Sequence, residues 1–128
     1  MSLPNDKFDT ASIMKLKRLS NEDLEPLIPQ LLEWLQDINW PVALPVAELL
    51  SKQGKEIIEP IRGILCGKDT LWKKSIISEL LVHCDSEVLL GLEDEILRIL
   101  KNPTEDEIKE EVVESARDVF ILLSYHDH

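Results

Sequence analysis

Residues 37–50 have the sequence DINWPVALPVAELL, and residues 69–81 have the sequence DTLWKKSIISELL. Both stretches begin with Asp-x-x-Trp and end with Glu-Leu-Leu, and the second follows the first at an offset of 31–32 residues. An apolar segment with a spacing of three to four residues precedes each stretch. Because self-similarity at such a period is typical of repeat architectures, the pattern predicts a helix–turn–helix unit that recurs along the chain.

The same apolar spacing continues through most of the chain, and Ser, Thr, Asp, Pro or Gly residues separate the periodic segments. Thr104 followed by Glu107 is the clearest capping box. No segment alternates with a period of two residues, so we expect no β-strand. The positions of these separating residues predict helices over residues 10–18, 21–37, 41–53, 55–66, 70–83, 86–101 and 105–124.

Short turns between long helices force neighbouring helices to be antiparallel, and one hairpin cannot bury its own apolar face. We therefore predict an all-α fold of about six to seven helices in which antiparallel helical hairpins stack on one another. The single domain is expected over residues 9–124, with a flexible N-terminal arm over residues 1–8 and a C-terminal tail over residues 125–128. The three expected hairpins are residues 29–50, 60–81 and 92–123.

The predicted unit has an acidic residue in its turn and a proline that opens its second helix. In these features residues 20–124 resemble the HEAT and armadillo class of α-solenoids, although Val42 and Ala43 replace the usual basic residue of the second helix. More narrowly, EWLQDINWPVA at residues 33–43, followed by Pro-Val-Ala at residues 45–47, is similar to a small bacterial domain family of unknown function. The broad resemblance implies protein binding more often than catalysis, and the narrow one implies no activity.

The composition is acidic, with 25 Asp and Glu residues against 14 Lys and Arg residues and a net charge of −11. Residues 85–118 alone contain twelve acidic and four basic residues. Nucleic acids and anionic membrane surfaces need a basic face, so we expect neither as a partner. The charge favours a basic protein partner. The sequence leaves the oligomeric state open.

The compartment is inferred from the cysteines and the N-terminus. Cys66 and Cys84 are expected to be reduced and half-buried, because the N-terminal stretch has no apolar core of an export signal. No apolar run approaches the roughly 20 residues of a membrane span. The sequence therefore predicts a cytoplasmic protein.

Three tryptophans are candidates for a functional surface. Trp40 and Trp72 occupy equivalent positions in the two copies, so each is interpreted as a plug between hairpins, with Pro41 at the first position of a helix. An aromatic hot spot on a binding face is the alternative for these two rings. Trp34 lies on the flank of the apolar stripe of its helix and is the stronger candidate for a partner contact.

Four glutamates, Glu107, Glu110, Glu111 and Glu114, lie along one flank of the last predicted helix. A solvated face is the simplest interpretation, and docking of a basic partner is the preferred functional one. Paired carboxylates also bind divalent cations or transfer protons, but no His or Asn shares this flank to complete such a site.

The remaining candidates for a metal site are Cys66, His83, Cys84 and Asp85. Structural zinc sites need Cys and His at repeated short spacings, whereas His83 and Cys84 are adjacent and would point about 100° apart on a helix. His126 and His128 could take up a metal adventitiously, but we expect them in a frayed tail. The sequence therefore predicts no metal, no cofactor and no catalytic residue.

The leading hypothesis is a non-catalytic protein-interaction module with an acidic surface, and an immunity-type inhibitor that masks a basic toxin is one form of it. The alternative is a small enzyme that acts on nucleic acid, or on another substrate, through a HEAT-like concave face. Such an enzyme would need a basic groove with an acidic residue at its centre. The charge of the main groove therefore distinguishes the two hypotheses.

Overall fold

The computed structural model describes residues 3–126, and this part of the chain consists of helices joined by short turns, without a strand. With abutting segments taken as one helix, the described residues form nine helices. They are α1 (Thr10–Leu16), α2 (residues 21–33), α3 (Ala43–Ser51), α4 (residues 55–65), α5 (residues 70–83), α6 (Ser86–Gly91), α7 (Glu93–Lys101), α8 (Glu105–Lys109) and α9 (Val112–His126).

Four helices begin at side-chain caps formed by the Asp, Ser and Thr residues that separate the periodic segments. Asp9, Ser20, Asp69 and Thr104 each accept a hydrogen bond from the backbone N–H three residues later, at the starts of α1, α2, α5 and α8. At Thr104 the capping box is complete, because the Glu107 carboxylate accepts in return from the Thr104 N–H. Each cap satisfies backbone donors that the first turn of a helix leaves without partners.

The helix predicted over residues 86–101 is divided at Leu92, whose φ of −112° and ψ of 8° lie outside the helical region. The carbonyl oxygen of Gly91 lies at this break and accepts a hydrogen bond from Arg62 Nη2 at 2.6 Å. Gly91 also lies against Ile58 of α4, so closely that an added Cβ would be 2.6 Å from Ile58 Cδ1. Contact with α4 therefore accompanies the break between α6 and α7.

The helix predicted over residues 105–124 is also divided, and the two divisions raise the number of helices from the expected six to seven to nine. Glu111 adopts a left-handed φ of 63°, which ends the helical path between α8 and α9. In α8, Glu107 is buried and Ile108 is 58% exposed. A single helix over residues 105–124 would instead place Ile108 on the same side as the buried Val112.

Helix contacts follow a simple order. α1, α3, α5 and α9 contact one another in that order, and we call this set the α1–α9 row. α2, α4 and α6 contact one another in the same way. Across the two sets α2 packs on α3, α4 on α5, and both α6 and α7 on α9.

One cluster of buried apolar side chains connects every described helix except α8. Most of its members are the Leu, Ile and Val residues of the predicted apolar stripes, such as Leu31, Leu50, Ile61 and Leu80, all of which are fully buried. Burial of each such side chain stabilises the fold by roughly 1.5–3 kcal/mol. The periodic pattern in the sequence is therefore the pattern of the core.

The predicted flexible arm, residues 1–8, packs on the domain where the structure describes it. The Val42 N–H donates to the carbonyl oxygen of Lys7 at 3.0 Å, and Leu3 packs against the core. At the other end α9 continues to His126, two residues beyond its predicted end, while residues 127–128 lie outside the described part. Between residues 3 and 126 no helix combines the length and apolar character needed to cross a membrane.

Candidate functional site

A groove runs along the α1–α9 row between α3 and α5 and continues to the turn at residues 36–39; we call it the α3–α5 groove. It consists of two adjoining cavities of about 470 Å³ and about 320 Å³, and Glu79 of α5 lines both. Cavities of this size hold a small molecule or several side chains of a bound peptide.

The α3–α5 groove is lined by more acidic than basic side chains. Asp37 and Glu79 line the larger cavity together with Lys74, and Glu48 and Glu79 line the smaller one. The lining therefore has three carboxylates and one ammonium group. A cationic side chain that entered the groove would meet a favourable charge, and a phosphate would be repelled.

The ion pairs at the edge of the α3–α5 groove have long N···O distances. Lys74 Nζ lies 3.6 Å from Glu111 Oε2, and Glu48 Oε1 lies 3.7 Å and 3.8 Å from Lys17 Nζ and Lys52 Nζ. Ion pairs at exposed positions contribute about 0–1 kcal/mol each. These pairs can therefore break at little cost in stability.

Two leucines make the groove partly apolar. Leu71 lines the larger cavity and is 58% exposed, and Leu44 lines the smaller cavity and is 57% exposed. A large apolar side chain gains free energy when a partner removes it from water. The groove thus combines carboxylates with apolar contact points.

Glu107 is the centre of a buried ion cluster and is itself fully buried. Its Oε1 accepts from Arg98 Nη1 at 2.5 Å and from the Thr104 N–H at 2.9 Å. Its Oε2 accepts from Arg98 Nη2 at 2.7 Å and from Lys73 Nζ at 2.9 Å. Lys73 is only 3% exposed, so both partners of that pair have lost their water.

The electrostatics of the cluster favour the charged carboxylate. Burial on its own raises the pKa of Glu107, but the hydrogen bonds from Arg98, the Thr104 backbone and Lys73 outweigh it and lower the pKa from its ordinary 4.5 to about 2. The same contact with Glu107 raises the pKa of Arg98. This arrangement suits a structural tie between α5, α7 and α8 better than proton transfer at neutral pH.

The expectation that Glu107, Glu110, Glu111 and Glu114 form one exposed flank is wrong. Glu107 is buried, and the left-handed Glu111 separates it from α9. Glu110 is half-buried, whereas Glu111 and Glu114 are exposed. Of the four predicted partner-binding glutamates, Glu111 is the one that lies beside the α3–α5 groove, through its contact with Lys74.

The three tryptophans are all half-buried. The rings of Trp34 and Trp40 pack edge to face with centroids 5.7 Å apart. Trp72 Nε1 instead donates to the carbonyl oxygen of Leu32 at 2.9 Å and so ties α5 to α2. Trp40 and Trp72 therefore make different contacts, although the repeat predicted equivalent ones.

Pro41 does not open a helix as predicted, because α3 begins two residues later at Ala43. Its pyrrolidine ring is exposed in the turn between Trp40 and Val42. The local restriction of φ by proline is still compatible with that turn. The sequence pattern thus placed the start of this helix correctly to within two residues.

The cysteines differ in environment. Cys66 is exposed, whereas Cys84 is buried and its Sγ donates to the Leu80 carbonyl oxygen at 3.3 Å. Burial, with a smaller effect of the Asp85 charge, raises the pKa of the Cys84 thiol to about 12. Among residues 3–126 no three His, Cys, Asp or Glu side chains are grouped so that they could hold a metal ion.

The sequence patterns did not identify the groove, although one signal for its lining residues was present. Glu48 and Glu79 are the glutamates of the two Glu-Leu-Leu copies, so the repeat brings the same residue type to the same groove from α3 and from α5. The following leucine pairs, in contrast, are buried in both copies. A charged residue that recurs beside a buried pair is a candidate for a repeated surface position.

Comparison with known protein families gives one match. No curated protein matches the chain. The family described as "Domain of unknown function (DUF5071)" matches residues 2–120 of the 128, a range that includes both the α3–α5 groove and the Glu107 cluster. This agrees with the narrower resemblance, which was to a small domain family of unknown function. The chain belongs to the DUF5071 family.

Proposed function

We propose that this domain is a non-catalytic protein-interaction module that binds a basic segment of a partner protein in the α3–α5 groove. The observation that carries the proposal is the joint presence of three carboxylates, Asp37, Glu48 and Glu79, and two exposed leucines in one groove. A partner that fits it presents Lys or Arg side chains interspersed with apolar ones.

We further propose that the helices are stacked hairpins of the HEAT or armadillo type. The contact order supports this, because α1, α3, α5 and α9 contact one another in sequence, and α3, α5 and α9 each also pack on one helix or a pair of helices outside the row. Repeat proteins have this neighbour-to-neighbour pattern and use one face of the stack for binding. The α3–α5 groove lies on the α1–α9 row, which would then be the binding face.

The charge of the groove favours this proposal over an enzyme that acts on nucleic acid. Such an enzyme needs cations along its groove to neutralise phosphates. The α3–α5 groove has Lys74 as its one ammonium group among the lining residues. Glu111 lies beside Lys74, and Lys17 and Lys52 lie beside Glu48 outside the lining. An immunity-type inhibitor of a basic toxin is one specific form of the proposed module, and the two unpaired thiols fit action in the reducing cytoplasm.

The test uses display of random peptides on the purified domain. We expect the selected peptides to be enriched in Lys and Arg together with Leu, Ile or aromatic residues. The double variant Glu48→Lys with Glu79→Lys should lose at least tenfold in affinity for them, which corresponds to about 1.4 kcal/mol. Binding of the unaltered domain should weaken as salt is added.

The matched control reverses two exposed carboxylates outside the groove, Glu22 and Glu25 of α2. That variant has the same change of net charge and should keep its affinity. If both variants lose binding equally, the overall charge is responsible rather than the groove. If selection yields no basic enrichment at all, the proposal is wrong.

A further inference from the structure

We propose that the domain also associates with copies of itself head to tail, with the exposed face of α1 of one copy docked on the exposed face of α9 of the next. This inference is independent of the α3–α5 groove. Three observations carry it: the positions of the two helices, their exposed apolar side chains and their opposite charges.

The first observation is position. α1 and α9 are the two end members of the α1–α9 row, with α3 and α5 between them. Each end helix has a neighbour in the row on one side only. A second copy that placed its α1 against α9 would therefore continue the row in the same direction.

The second observation is the exposure of apolar side chains at both ends. Met14 on α1 is 61% exposed, and Phe8, just before α1, is 66% exposed. On α9, Ile121 is 48% exposed and Tyr125 is 76% exposed, and their spacing of four residues places them on one side of the helix. End units of soluble helical repeats normally have polar outer faces, so these side chains indicate a contact surface.

The third observation is charge. Lys15 on α1 and Arg18 in the turn after α1 are exposed, one and four residues after Met14, while Glu114 and Asp118 are exposed on the Ile121 side of α9. Spacings of four and three residues place Glu114, Asp118 and Ile121 on one side of α9. On α1, Lys15 is about 100° around the helix axis from Met14, and both side chains are exposed. Arg117 is also exposed and lies four residues before Ile121, so this side of α9 carries two carboxylates and one guanidinium group.

The two faces are therefore complementary. Each has an apolar part, and the charge is positive at α1 and predominantly negative on α9. The domain as a whole carries a charge of −11, so two copies repel each other unless a basic face meets an acidic one. Of the two ends, α1 supplies the basic face. Because the two contact surfaces differ, the association is heterologous and forms open chains or a closed ring.

The experiment is sedimentation velocity on the purified chain from about 10 µM to about 1 mM, the range suited to weak association. We expect the weight-average mass to rise with concentration above the 14.7 kDa of one chain. A mass that stays at that of one chain over the whole range would overturn the proposal.

Charge-swapped variants test the surfaces. Lys15→Glu with Arg18→Glu should abolish the rise in mass, and so should Glu114→Lys with Asp118→Lys, although the latter reduces the net negative charge and hence the general repulsion. The quadruple variant carries both sets and should associate again, because the charges are exchanged rather than removed. Loss of association through misfolding would not be reversed by further substitutions.

The control is Glu22→Lys with Glu25→Lys, which changes the net charge as much as the α9 variant but lies on α2. It should associate at least as strongly as the unaltered chain. If the control loses association, or if the quadruple variant stays monomeric while the unaltered chain associates, the two faces are not the contact and the inference fails. Peptide binding in the α3–α5 groove should be unaffected by any α1 or α9 variant.

Discussion

A single carboxylate, that of Glu107, links three helices of the domain. It accepts from Lys73 of α5, from Arg98 of α7 and from the backbone at the start of α8. Removing both charges of a buried pair is often tolerated, but removing one partner leaves the other charged and without water. The Glu107 cluster is therefore sensitive to single substitutions.

Glu107→Gln should lower the free energy of unfolding by about 3–5 kcal/mol, because Lys73 is 3% exposed and would retain an uncompensated charge. Urea unfolding followed by circular dichroism measures the change. Glu114→Gln, at an exposed position of α9, is the control and should change stability by less than about 0.5 kcal/mol. Adding Lys73→Met to Glu107→Gln should restore part of the loss; a further loss would show that the unpaired ammonium is not its source.

The pKa of Glu107 makes stability depend on pH. Because this pKa is lowered from 4.5 to about 2 in the folded state, the unfolded chain binds more protons between these values. The contribution of Glu107 is therefore fully present above about pH 5 and is lost as the pH falls towards 2, and it amounts to roughly 3 kcal/mol. Unfolding free energies measured from pH 6 to pH 2 should fall less steeply for Glu107→Gln than for the unaltered chain. Equal slopes would contradict this.

The two roles of Glu107 differ in how far the sequence predicts them. Its capping box with Thr104 is a local pattern of four residues and was predicted correctly. Its partners Lys73 and Arg98 are 34 and 9 residues away, so no local rule identifies them. One signal was available: Lys73 is placed three and four residues before Ile76 and Ile77 and thus on the buried side of α5.

At the scale of elements, helix starts were predicted better than helix interruptions. A cap depends on residues within one turn, as at Ser20 and Asp69. The break at Leu92 instead accompanies contacts of Gly91 with Ile58 and Arg62, about 30 residues earlier in the chain. Helical propensity alone favours continuation through residues 86–101, and tertiary contacts override it.

Two glycines allow this argument to be tested. Gly63→Ala in α4 meets no atom within 4 Å and should stabilise the domain by about 0.5–1 kcal/mol through helix propensity alone. Gly91→Ala places its Cβ 2.6 Å from Ile58 Cδ1 and should destabilise by roughly 1–3 kcal/mol. Thermal unfolding shows whether each variant is more or less stable than the unaltered chain.

The matched rescue is Gly91→Ala with Ile58→Val, which removes the Cδ1 atom that the new methyl group meets. The double variant should be more stable than the sum of the two single changes predicts, because the residues are in contact. Additive effects, or a stabilising Gly91→Ala, would mean that the approach of α6 to α4 is not close enough to require glycine at this position.

For the molecule as a whole, the apolar period of the sequence predicted the all-helical class. The position of the α3–α5 groove does not follow from that period. The two Asp-x-x-Trp and Glu-Leu-Leu copies mark α3 and α5 and their preceding turns. A groove depends on the distance between the helices and on which side chains remain exposed, as for Leu44 and Leu71. These properties arise only when the helices pack. The sequence therefore shows Glu48 and Glu79 as part of a repeat, but it does not show that they line a groove.

The uneven charge of the molecule leads to a last prediction. Residues 85–118 contain eight more acidic than basic residues, and the whole chain has eleven more. Self-repulsion of this kind destabilises the compact state and is screened by salt, since the Debye length falls from about 30 Å at 0.01 M to about 8 Å at 0.15 M. Added sodium chloride should therefore raise the free energy of unfolding by about 1 kcal/mol over this range.

Urea unfolding of a dilute sample, at about 5 µM so that association is negligible, measures this effect. The dependence on salt should be smaller for Glu114→Lys with Asp118→Lys, which lowers the excess of negative charge where it is highest. In Glu22→Lys with Glu25→Lys, the salt dependence of the unfolding free energy should change less than in the α9 variant, since these residues lie outside the acidic third of the chain. A free energy of unfolding that falls with salt would mean instead that attractive pairs, such as Lys74 with Glu111, outweigh the repulsion between like charges.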